Sequence, residues 1–539
     1  MPEAKTPDWA IQQIDLRNYM MWWIEKSTEC WKNQPYGGGH DEGLFTRTWP
    51  GYYILTGDKN AYEFLDMLAH QFVDHPEVEA CKCFLTPEDA ATYPNQKRRP
   101  PYHGYPADQA CLIHAPENYA WFLTHMCHIN PSPRLLAALD DCAEHIGNWS
   151  KDVPDWYDWE NHRFRSFIFG TKMVRDQPPY DFESLVTIRV LIIATNMYAL
   201  TGRQRYLDVS VDYADHWAKI VLEAPDEGFQ GMFAFVPDEE LDAKYGYLAD
   251  RIRGSRVRCS MELANLLLDL SRYVDKPDYI AAVRRMMEWS CEDTGYPGGE
   301  NVLVSTLFGK YRTFTGDTNF DDKVVAAADK MIIEDDSRPA LLLMNKASEQ
   351  ALNLAGLQYL RLYPDKRVAI DERHPWVLAQ ATQMTGDTKY LAHGMELAKW
   401  RFSDSHYIWD GRELGCRGSW QGRNGVALHN IVPTLYVSAL GGFTMLFGEI
   451  PWLEVSYSHQ DGAIGLPEGL AALFIPTNRN ERKVIFYNTT EAPIPVVVKP
   501  ENTKLTAKSA TLDGQAAAGP SDAVLIPPGR EVEYKIFLG

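Results

Sequence analysis

The sequence predicts a mainly α-helical protein, with an (α/α)6-type double-ring toroid over residues 1–450 and a small C-terminal antiparallel β-sandwich over residues 451–539. Three observations predict this architecture. A short Thr-Gly-Asp phrase recurs along the first part of the chain, and apolar helical runs alternate with amphipathic runs around it. The last part is rich in Val, Ile, Thr and Pro and contains short alternating runs.

The recurring phrase predicts a tight corner between two helices. It occurs at residues 56–58, 315–317 and 385–387, with the variant Thr-Gly-Arg at 201–203, and an aromatic residue follows each within four positions. We expect the glycine to end the first helix in a left-handed conformation, because only glycine adopts it without strain. The next residue then begins the second helix, and the aromatic side chain holds the two helices together.

The spacing of the corners predicts how many helical hairpins the chain forms. Corners at positions 57, 130, 202 and 275 lie 73, 72 and 73 residues apart, and the interval then shortens to 41 before position 316. A repeat of this length means that neighbouring hairpins bury one another's faces. The first helix of each pair is the more apolar, which places it in an inner ring. The pattern over residues 9 to 446 therefore predicts about six hairpins in a closed double ring, and an open solenoid is the alternative.

The C-terminal part has the pattern of short antiparallel strands. Residues 483–487, 494–498 and 531–537 alternate in polarity, and turn residues occupy 511–514 and 527–529. This pattern predicts a sandwich of fewer than a hundred residues, small enough to pack on one rim of the helical ring.

Composition excludes several classes of protein. A formal charge of −20 with 45% hydrophobic and 12% aromatic residues describes a chain that can build a large core, which excludes disordered and low-complexity proteins. The acidic balance argues against an extended basic surface for nucleic acid or an anionic membrane. The most apolar stretch, residues 185–200, is interrupted by polar residues and predicts a buried helix instead of a membrane span. We therefore expect neither a nucleic-acid nor a membrane partner.

The N-terminal residues and the cysteines bear on the cellular compartment and on cofactors. No apolar segment of a secretion signal is present, which predicts a cytoplasmic location for the sequence as it stands. A signal peptide removed beforehand would instead mean a periplasmic or secreted protein. Nine scattered cysteines show no disulfide framework, and Cys81 and Cys83 lack the spacing of a zinc site. We expect no metal and no cofactor.

Acidic residues stand where the predicted inner helices begin. In a double ring these helix starts share one rim around one cavity, where loops on a rigid scaffold commonly carry function. Capping and the helix dipole also favour acids there, but several segments pair the acid with His, Asn, Tyr or Gly. Paired carboxylates are what glycosidic cleavage needs, because one protonates the leaving oxygen while the other activates water or attacks the sugar. The candidate acid/base residues are Glu183 and Glu117, followed by Asp181, Glu262 and Glu300.

Basic and aromatic residues fall in the same long connections. Residues 97–105, 156–165 and 251–258 are basic islands in an acidic protein. Arginine recognises carboxylates through paired donors, which favours an acidic sugar, and flat aromatic faces stack on sugar rings. Ion pairing with the excess surface acid is the alternative explanation of these islands. The candidate substrate-binding residues are His40, Asp41, His103, Tyr105, Trp121, His162, Arg165, Arg258 and Trp420.

The corners, the polar starts of the inner helices and the small β domain together resemble the six-hairpin (α/α) toroid superfamily of carbohydrate-active enzymes. The resemblance covers most of the chain and implies an oligosaccharide or polysaccharide substrate, since the superfamily includes glycoside hydrolases, polysaccharide lyases and some sugar epimerases. A helical ring followed by a short β domain resembles the hydrolases that include β-L-arabinofuranosidases. Those enzymes hold zinc with cysteines beside a glutamate, and no such cluster is evident here, since Cys416 lacks an adjacent partner.

We therefore predict a glycoside hydrolase that acts on an oligosaccharide, with uronate-containing and plant or algal sugars among the expected substrates. Toroidal lyases usually carry a larger β region, which favours hydrolysis. The first alternative is a lyase in which His103, His162 or Tyr105 removes the C5 proton while Arg or Asn stabilises the carboxylate. The second alternative is a non-catalytic toroid that binds glycans.

Overall fold

We describe the protein from a computed structural model. Helices dominate the first part of the chain and antiparallel strands dominate the last, which confirms the mainly α-helical class with a β-rich C-terminal part. The residues that the structure describes are 5–33, 49–74, 123–151, 153–167, 174–292, 304–336, 374–394, 434–443, 445, 448–502, 505–517, 519 and 522–539.

The helices of the described residues pair into hairpins along the chain, and residues 388–394 and 434–439 are also helical. In chain order they are α1 (Asp8–Asn33), α2 (Trp49–Thr56), α3 (Lys59–Val73), α4 (Thr124–Ile129), α5 (Pro133–Ile146), α6 (Ile188–Thr201), α7 (Gln204–Glu223), α8 (Leu241–Tyr245), α9 (Leu248–Arg253), α10 (Met261–Ser271), α11 (Pro277–Glu292), α12 (Val304–Thr315), α13 (Asp321–Asp336) and α14 (His374–Thr385).

The predicted helix corners are confirmed. The glycines at positions 57, 202, 316 and 386 all have left-handed backbone angles, with φ of 66°, 68°, 77° and 71°. Thr315 shows how the flanking residues hold the turn, because its hydroxyl donates to the carbonyl oxygen of Tyr311 and accepts the backbone N–H of Asp317. The phenol of Tyr311 donates to the Asp317 carboxylate across 3.0 Å. The phrase therefore closes the turn through local hydrogen bonds.

The first helix of a pair is the more deeply buried one, as the sequence predicts. Nine of the fourteen residues of α6 and ten of the eleven of α10 are buried, whereas α7 and α11 alternate buried and exposed positions. Consecutive hairpins pack side by side, since α6 contacts α5, α7 and α10, and α10 in turn contacts α11 and α12. Closure of these hairpins into a full double ring stays a prediction.

One short segment brings several inner helices to a common point. The carbonyl of Gly448 accepts hydrogen bonds from Asn196 on α6 at 2.7 Å and from Thr124 on α4 at 3.4 Å. The neighbouring Glu449 carboxylate pairs with Lys310 on α12 at 2.9 Å, and both side chains are buried. The next backbone N–H, at position 450, donates to the carboxylate at position 269 on α10 at 3.0 Å. Residues from four helices that each begin a hairpin therefore contact this segment.

The strands form small antiparallel pairs in the helical part and two larger sheets near the C-terminus. The two larger sheets have the strand orders β13-β10-β7 and β12-β11-β14-β9-β8, and their arrangement as a sandwich stays a prediction. In chain order the strands are β1 (Tyr157–Asp158), β2 (Arg163–Phe164), β3 (Glu183–Ser184), β4 (Phe229–Gln230), β5 (Met232–Phe233), β6 (Arg256–Val257), β7 (Val455–Ser458), β8 (Leu470–Asn478), β9 (Glu481–Asn488), β10 (Ile494–Pro500), β11 (Ala507–Leu512), β12 (Gln515–Ala516), β13 (Val524–Ile526) and β14 (Glu531–Leu538).

The C-terminal sheets lie against the helix corners. A Cβ atom on Gly57 would approach the carbonyl oxygen of Ile464 to 2.1 Å, and one on Gly386 would contact Ile475. The side-chain amide of Gln13 on α1 both donates to and accepts from the backbone of Ala472 at the edge strand β8. The residue after the end of α10 also contacts the C-terminal part, because Arg272 donates a hydrogen bond to the side-chain oxygen of Asn502. No helix among the described residues is long and apolar enough to cross a bilayer.

Candidate functional site

Short strand pairs cover the start of α6. The β1–β2 hairpin pairs Asp158 with Arg163, and its turn contains His162 in the left-handed region with φ of 55°. Strand β3, which leads into α6, pairs with β5 through Glu183 and Phe233. Strand β4 pairs with β6, which lies just before α10. The connection between the hairpins thus folds over the helix starts, where the sequence predicts the chemistry.

The Glu183 carboxyl lies under this cover and is fully buried. Its Oε1 accepts the backbone N–H of Ser184 at 3.0 Å, the hydroxyl of Thr187 at 2.8 Å and the phenol of Tyr213 at 2.8 Å. Its Oε2 accepts the backbone N–H of Phe164 at 3.0 Å. The carboxyl therefore ties the β1–β2 hairpin to the start of α6 and to the middle of α7.

Burial makes Glu183 a proton carrier near neutral pH. Loss of solvation raises its pKa to about 7, although the hydrogen bonds from Thr187, Tyr213 and the two backbone amides favour the charged form and lower it. The charged form would be a buried anion without a hydrogen bond or ion pair to a cation among the residues described. A carboxyl in this state resembles the general acids that enzymes tune toward neutrality by burial.

Arg163 stands beside this carboxyl and is poorly paired. Its Nε lies 3.7 Å from Oδ2 of Asp158, and its Nε and Nη1 are buried and lack a hydrogen-bond partner among the described residues. Burial lowers its pKa, and the acids that oppose this shift are Asp158, Glu183 and Asp181. An unsatisfied buried donor costs about 1–3 kcal/mol, so such a group calls for a functional explanation.

The two aspartates near Arg163 have different surroundings. Burial alone would raise the pKa of Asp158, but hydrogen bonds from Asn161 and the charge of Arg163 lower it overall. Asp181 accepts the phenol of Tyr245 at 2.6 Å. Asp158 is therefore ionised at a pH where Glu183 still holds its proton.

Exposed aromatic rings surround the cluster. Three of the four large aromatic side chains that are exposed within the described ranges lie in the connections that precede α6 and α10: Trp159 at 40% before α6, and Phe235 at 41% and Tyr247 at 71% before α10. The Phe235 ring centroid lies 3.0 Å from the Arg163 guanidinium carbon.

His162 takes part in a second constellation on the same hairpin. Its Nδ1 lies 2.8 Å from Oδ1 of Asp212 on α7, and the phenol of the buried Tyr157 donates to Oδ2 of that carboxylate at 2.7 Å. The imidazole of His216 stacks on His162 with ring centroids 6.1 Å apart. Because a carboxylate only accepts, Nδ1 of His162 donates to Asp212, and the other ring nitrogen, Nε2, belongs to a half-exposed side chain.

The structure places the remaining described candidates around the same helix starts. Glu262 begins α10 and lies 3.4 Å from Arg189 at the start of α6, so these two starts are neighbours. The Arg165 Nε donates to the backbone carbonyl of Tyr157 at 3.4 Å, and Arg258 is half-buried just after β6. In the third basic island, Arg253 pairs with Asp238 and Asp242, so the surface-pairing alternative holds at that position.

The other predicted site residues lie outside the described residues. They are Glu117, Glu300, His40, Asp41, His103, Tyr105, Trp121 and Trp420. Cys416, Cys81 and Cys83 lie outside them too. Within the described ranges, no group of three or more His, Cys, Asp or Glu side chains is arranged to hold a metal ion.

Several residues of the site escaped the sequence analysis. Arg163 stood in a quoted island without being chosen, and Tyr213, Asp212 and Phe235 carried no local signal because their partners lie far along the chain. The sequence does contain one pattern that indicates the β1–β2 hairpin. Aromatic and charged residues alternate on either side of Asn161 and His162, two residue types that tolerate left-handed backbone angles.

Comparisons with known proteins find similarity among solved structures. No protein-family model matches the chain, and no curated protein matches it. Among solved structures, Ara127N-Se, described as a GH127 β-L-arabinofuranosidase from Geobacillus stearothermophilus T6, is similar with a TM-score of 0.28 and 11% sequence identity. The match covers 79% of this chain and 72% of that chain. A likeness at this level carries no argument, so the proposals below rest on the site.

Proposed function

We propose that this protein is a glycoside hydrolase that cleaves an oligosaccharide or polysaccharide at the start of α6. The observation that carries the proposal is the pair of carboxyl groups around Arg163 with opposed surroundings. Burial raises the pKa of Glu183 to about 7, while hydrogen bonds and Arg163 lower that of Asp158. Glycosidic cleavage needs one carboxyl that holds a proton and one that does not, and divergent environments identify such pairs.

In this proposal Glu183 protonates the glycosidic oxygen, while Asp158 stays ionised and stabilises or deprotonates the attacking group, and Asp181 lies beside them. The Glu183 carboxyl is closed to solvent, and its Oε2 is held by the Phe164 amide on a two-residue strand. Displacement of the β1–β2 hairpin by a bound sugar frees Oε2 while Oε1 keeps its three donors. Glu262, Glu117 and Glu300 remain proposed members of the same acidic rim, as do the substrate-binding candidates named from the sequence.

The test is incubation of the protein with neutral and uronate-containing polysaccharides, followed by two assays on each mixture. New reducing ends without absorbance from a 4,5-unsaturated product support hydrolysis, and the Glu183→Gln variant is expected to lose most of this activity. Unchanged activity in that variant would remove Glu183 as the acid.

Elimination is a second candidate, and the 2.8 Å contact between Asp212 and His162 favours it. A carboxylate that fixes the tautomer of an exposed imidazole is the arrangement of a general base. In that reaction Nε2 of His162 would remove the C5 proton of a uronate. Absorbance from an unsaturated product, lost in His162→Ala and retained in Glu183→Gln, would identify this reaction. Tight glycan binding without any turnover would identify a binding protein instead.

A further inference from the structure

The two unpartnered donors of Arg163 indicate a missing ligand. The guanidinium is held from one side by the Asp158 carboxylate at 3.7 Å, too long for a hydrogen bond, and is covered by the Phe235 ring. Only 16% of the Arg163 side chain is exposed, so bulk water does not replace these partners. Donors left in this state within the described structure are expected to find acceptors when a ligand binds.

The surroundings decide which acceptors fit. Three carboxyl groups act on Arg163, from Asp158, Glu183 and Asp181, and the phenol of Tyr245 lies among them. An incoming carboxylate would pair with Arg163 but would also meet the negative charge of the aspartates, which costs affinity. A sugar hydroxyl accepts from an arginine and donates to a carboxylate at the same time, so it satisfies both kinds of group.

We propose that Arg163 binds the vicinal hydroxyl groups of a neutral sugar unit, and that Phe235 covers the guanidinium until the sugar replaces it. The inference rests on the proposed function only in taking the ligand to be a carbohydrate. It also changes the expected substrate, because the basic island containing Arg163 suggested an acidic sugar. The Phe235 ring is 41% exposed and lies after β5, so it has room to move aside and pack on the bound ring.

The first experiment measures binding, which does not depend on turnover. The full-length protein is titrated with matched pairs of probes: methyl-esterified galacturonan against galacturonan, β-mannan against mannuronan, and xylan against glucuronoxylan. We expect binding to at least one neutral member and at least about 10-fold weaker binding to its charged counterpart. Preference for the charged members, or binding to none of the six, would overturn the proposal.

Two variants and two controls assign the binding to this site. Arg163→Gln is expected to weaken binding of the neutral probe by about 10-fold or more. Phe235→Ala removes both the cover and a ring that packs on the sugar, so it is expected to change the affinity less than Arg163→Gln does. Arg253→Gln removes an exposed arginine that is already paired with Asp238 and Asp242, and Tyr273→Ala removes an exposed ring at the far end of α10. Equal affinity in all four variants and the wild type contradicts the assignment. If the wild type binds the neutral probe but cleaves none of the polysaccharides, the proposed function fails and this inference stands.

A chemical probe tests the cover directly. Phenylglyoxal modifies arginine, and peptide mapping by mass spectrometry reports the extent at Arg163. We expect slow modification in the wild type, faster modification in Phe235→Ala, and protection of that variant by the neutral probe. Fast modification of the wild type that Phe235→Ala does not change would show that Phe235 does not cover Arg163.

Discussion

The phenol of Tyr213 donates a 2.8 Å hydrogen bond to Oε1 of Glu183, and neither side chain reaches solvent. This contact joins the middle of α7 to the short strand β3, which leads into α6. It also supplies the ionised carboxyl with one of the donors that keep its pKa from rising further. The chemistry proposed for Glu183 is therefore adjustable through a residue thirty positions away.

Removal of that donor should shift the proton affinity of Glu183 upward. In Tyr213→Phe the charged carboxyl loses a hydrogen bond that favours it, so we expect a higher pKa for Glu183 and a loss of about 1–2 kcal/mol in unfolding free energy. The alkaline limb of the pH–activity profile should move to higher pH. The matched control is Tyr279→Phe. It removes a phenol on α11 that donates to Asp215, a residue of the same helix as Tyr213, and it does not contact Glu183. If the alkaline limb lies at the same pH in the wild type and in both variants, Tyr213 does not set the pKa of Glu183.

The pH dependence of stability should report the buried carboxyl independently of activity. The folded-state pKa of Glu183 is raised from 4.5 to about 7, so its favourable contribution is complete below pH 4.5 and is lost as the pH rises to 7. The wild type should lose on the order of 3 kcal/mol relative to Glu183→Gln across this window, because only the wild type must bury a charge. Urea unfolding at pH 4.5, 6 and 8 measures the difference. If the unfolding free energies of the two proteins change in parallel with pH, burial does not raise the pKa of Glu183.

The helix corners allow a comparison between two glycines with the same backbone angle. Gly202→Ala should cost about 1–2 kcal/mol from the left-handed conformation alone, since no atom lies within 4 Å of the added Cβ. Gly57→Ala adds a collision with the carbonyl oxygen of Ile464 and should be clearly more destabilising. Thermal unfolding of both variants measures the gap. Equal losses of stability in the two variants would show that the contact with Ile464 does not restrict this corner.

The buried pair of Lys310 and Glu449 tests whether the inner helices depend on the segment that they surround. Lys310→Met leaves the Glu449 carboxylate buried without its cation and should cost about 3–5 kcal/mol. Changing both residues to Met should recover much of that loss. Lys219→Met, which removes an exposed pair with Glu223 on α7, should change stability by less than about 0.5 kcal/mol. If Lys310→Met also loses less than about 0.5 kcal/mol, the segment at residues 448–450 contributes little to stability.

The sequence predicted the features that local interactions determine. The corners follow from hydrogen bonds within five residues of each glycine, and the strand at 531–537 follows from alternation that the structure extends by one residue to Leu538. Glu183 was chosen because an acid stood before an apolar helix, and the structure places it there.

The surroundings of Glu183 could not be predicted in the same way. Its donors come from Phe164 and Tyr213, on a hairpin and a helix whose approach depends on tertiary packing. The same holds for Arg163 and Phe235, which meet although 72 residues separate them. Patterns of residues indicate which side chains are buried, but not which distant groups they meet once buried.

The most direct measurement is the pH profile of polysaccharide cleavage by the wild type and by Glu183→Gln, assayed as new reducing ends. If Glu183 donates the proton, the wild-type kcat/KM falls as the pH rises above about 7, and Glu183→Gln loses about 100-fold or more with a flat profile in that region. Wild-type cleavage that persists with the same alkaline limb in Glu183→Gln would contradict the account.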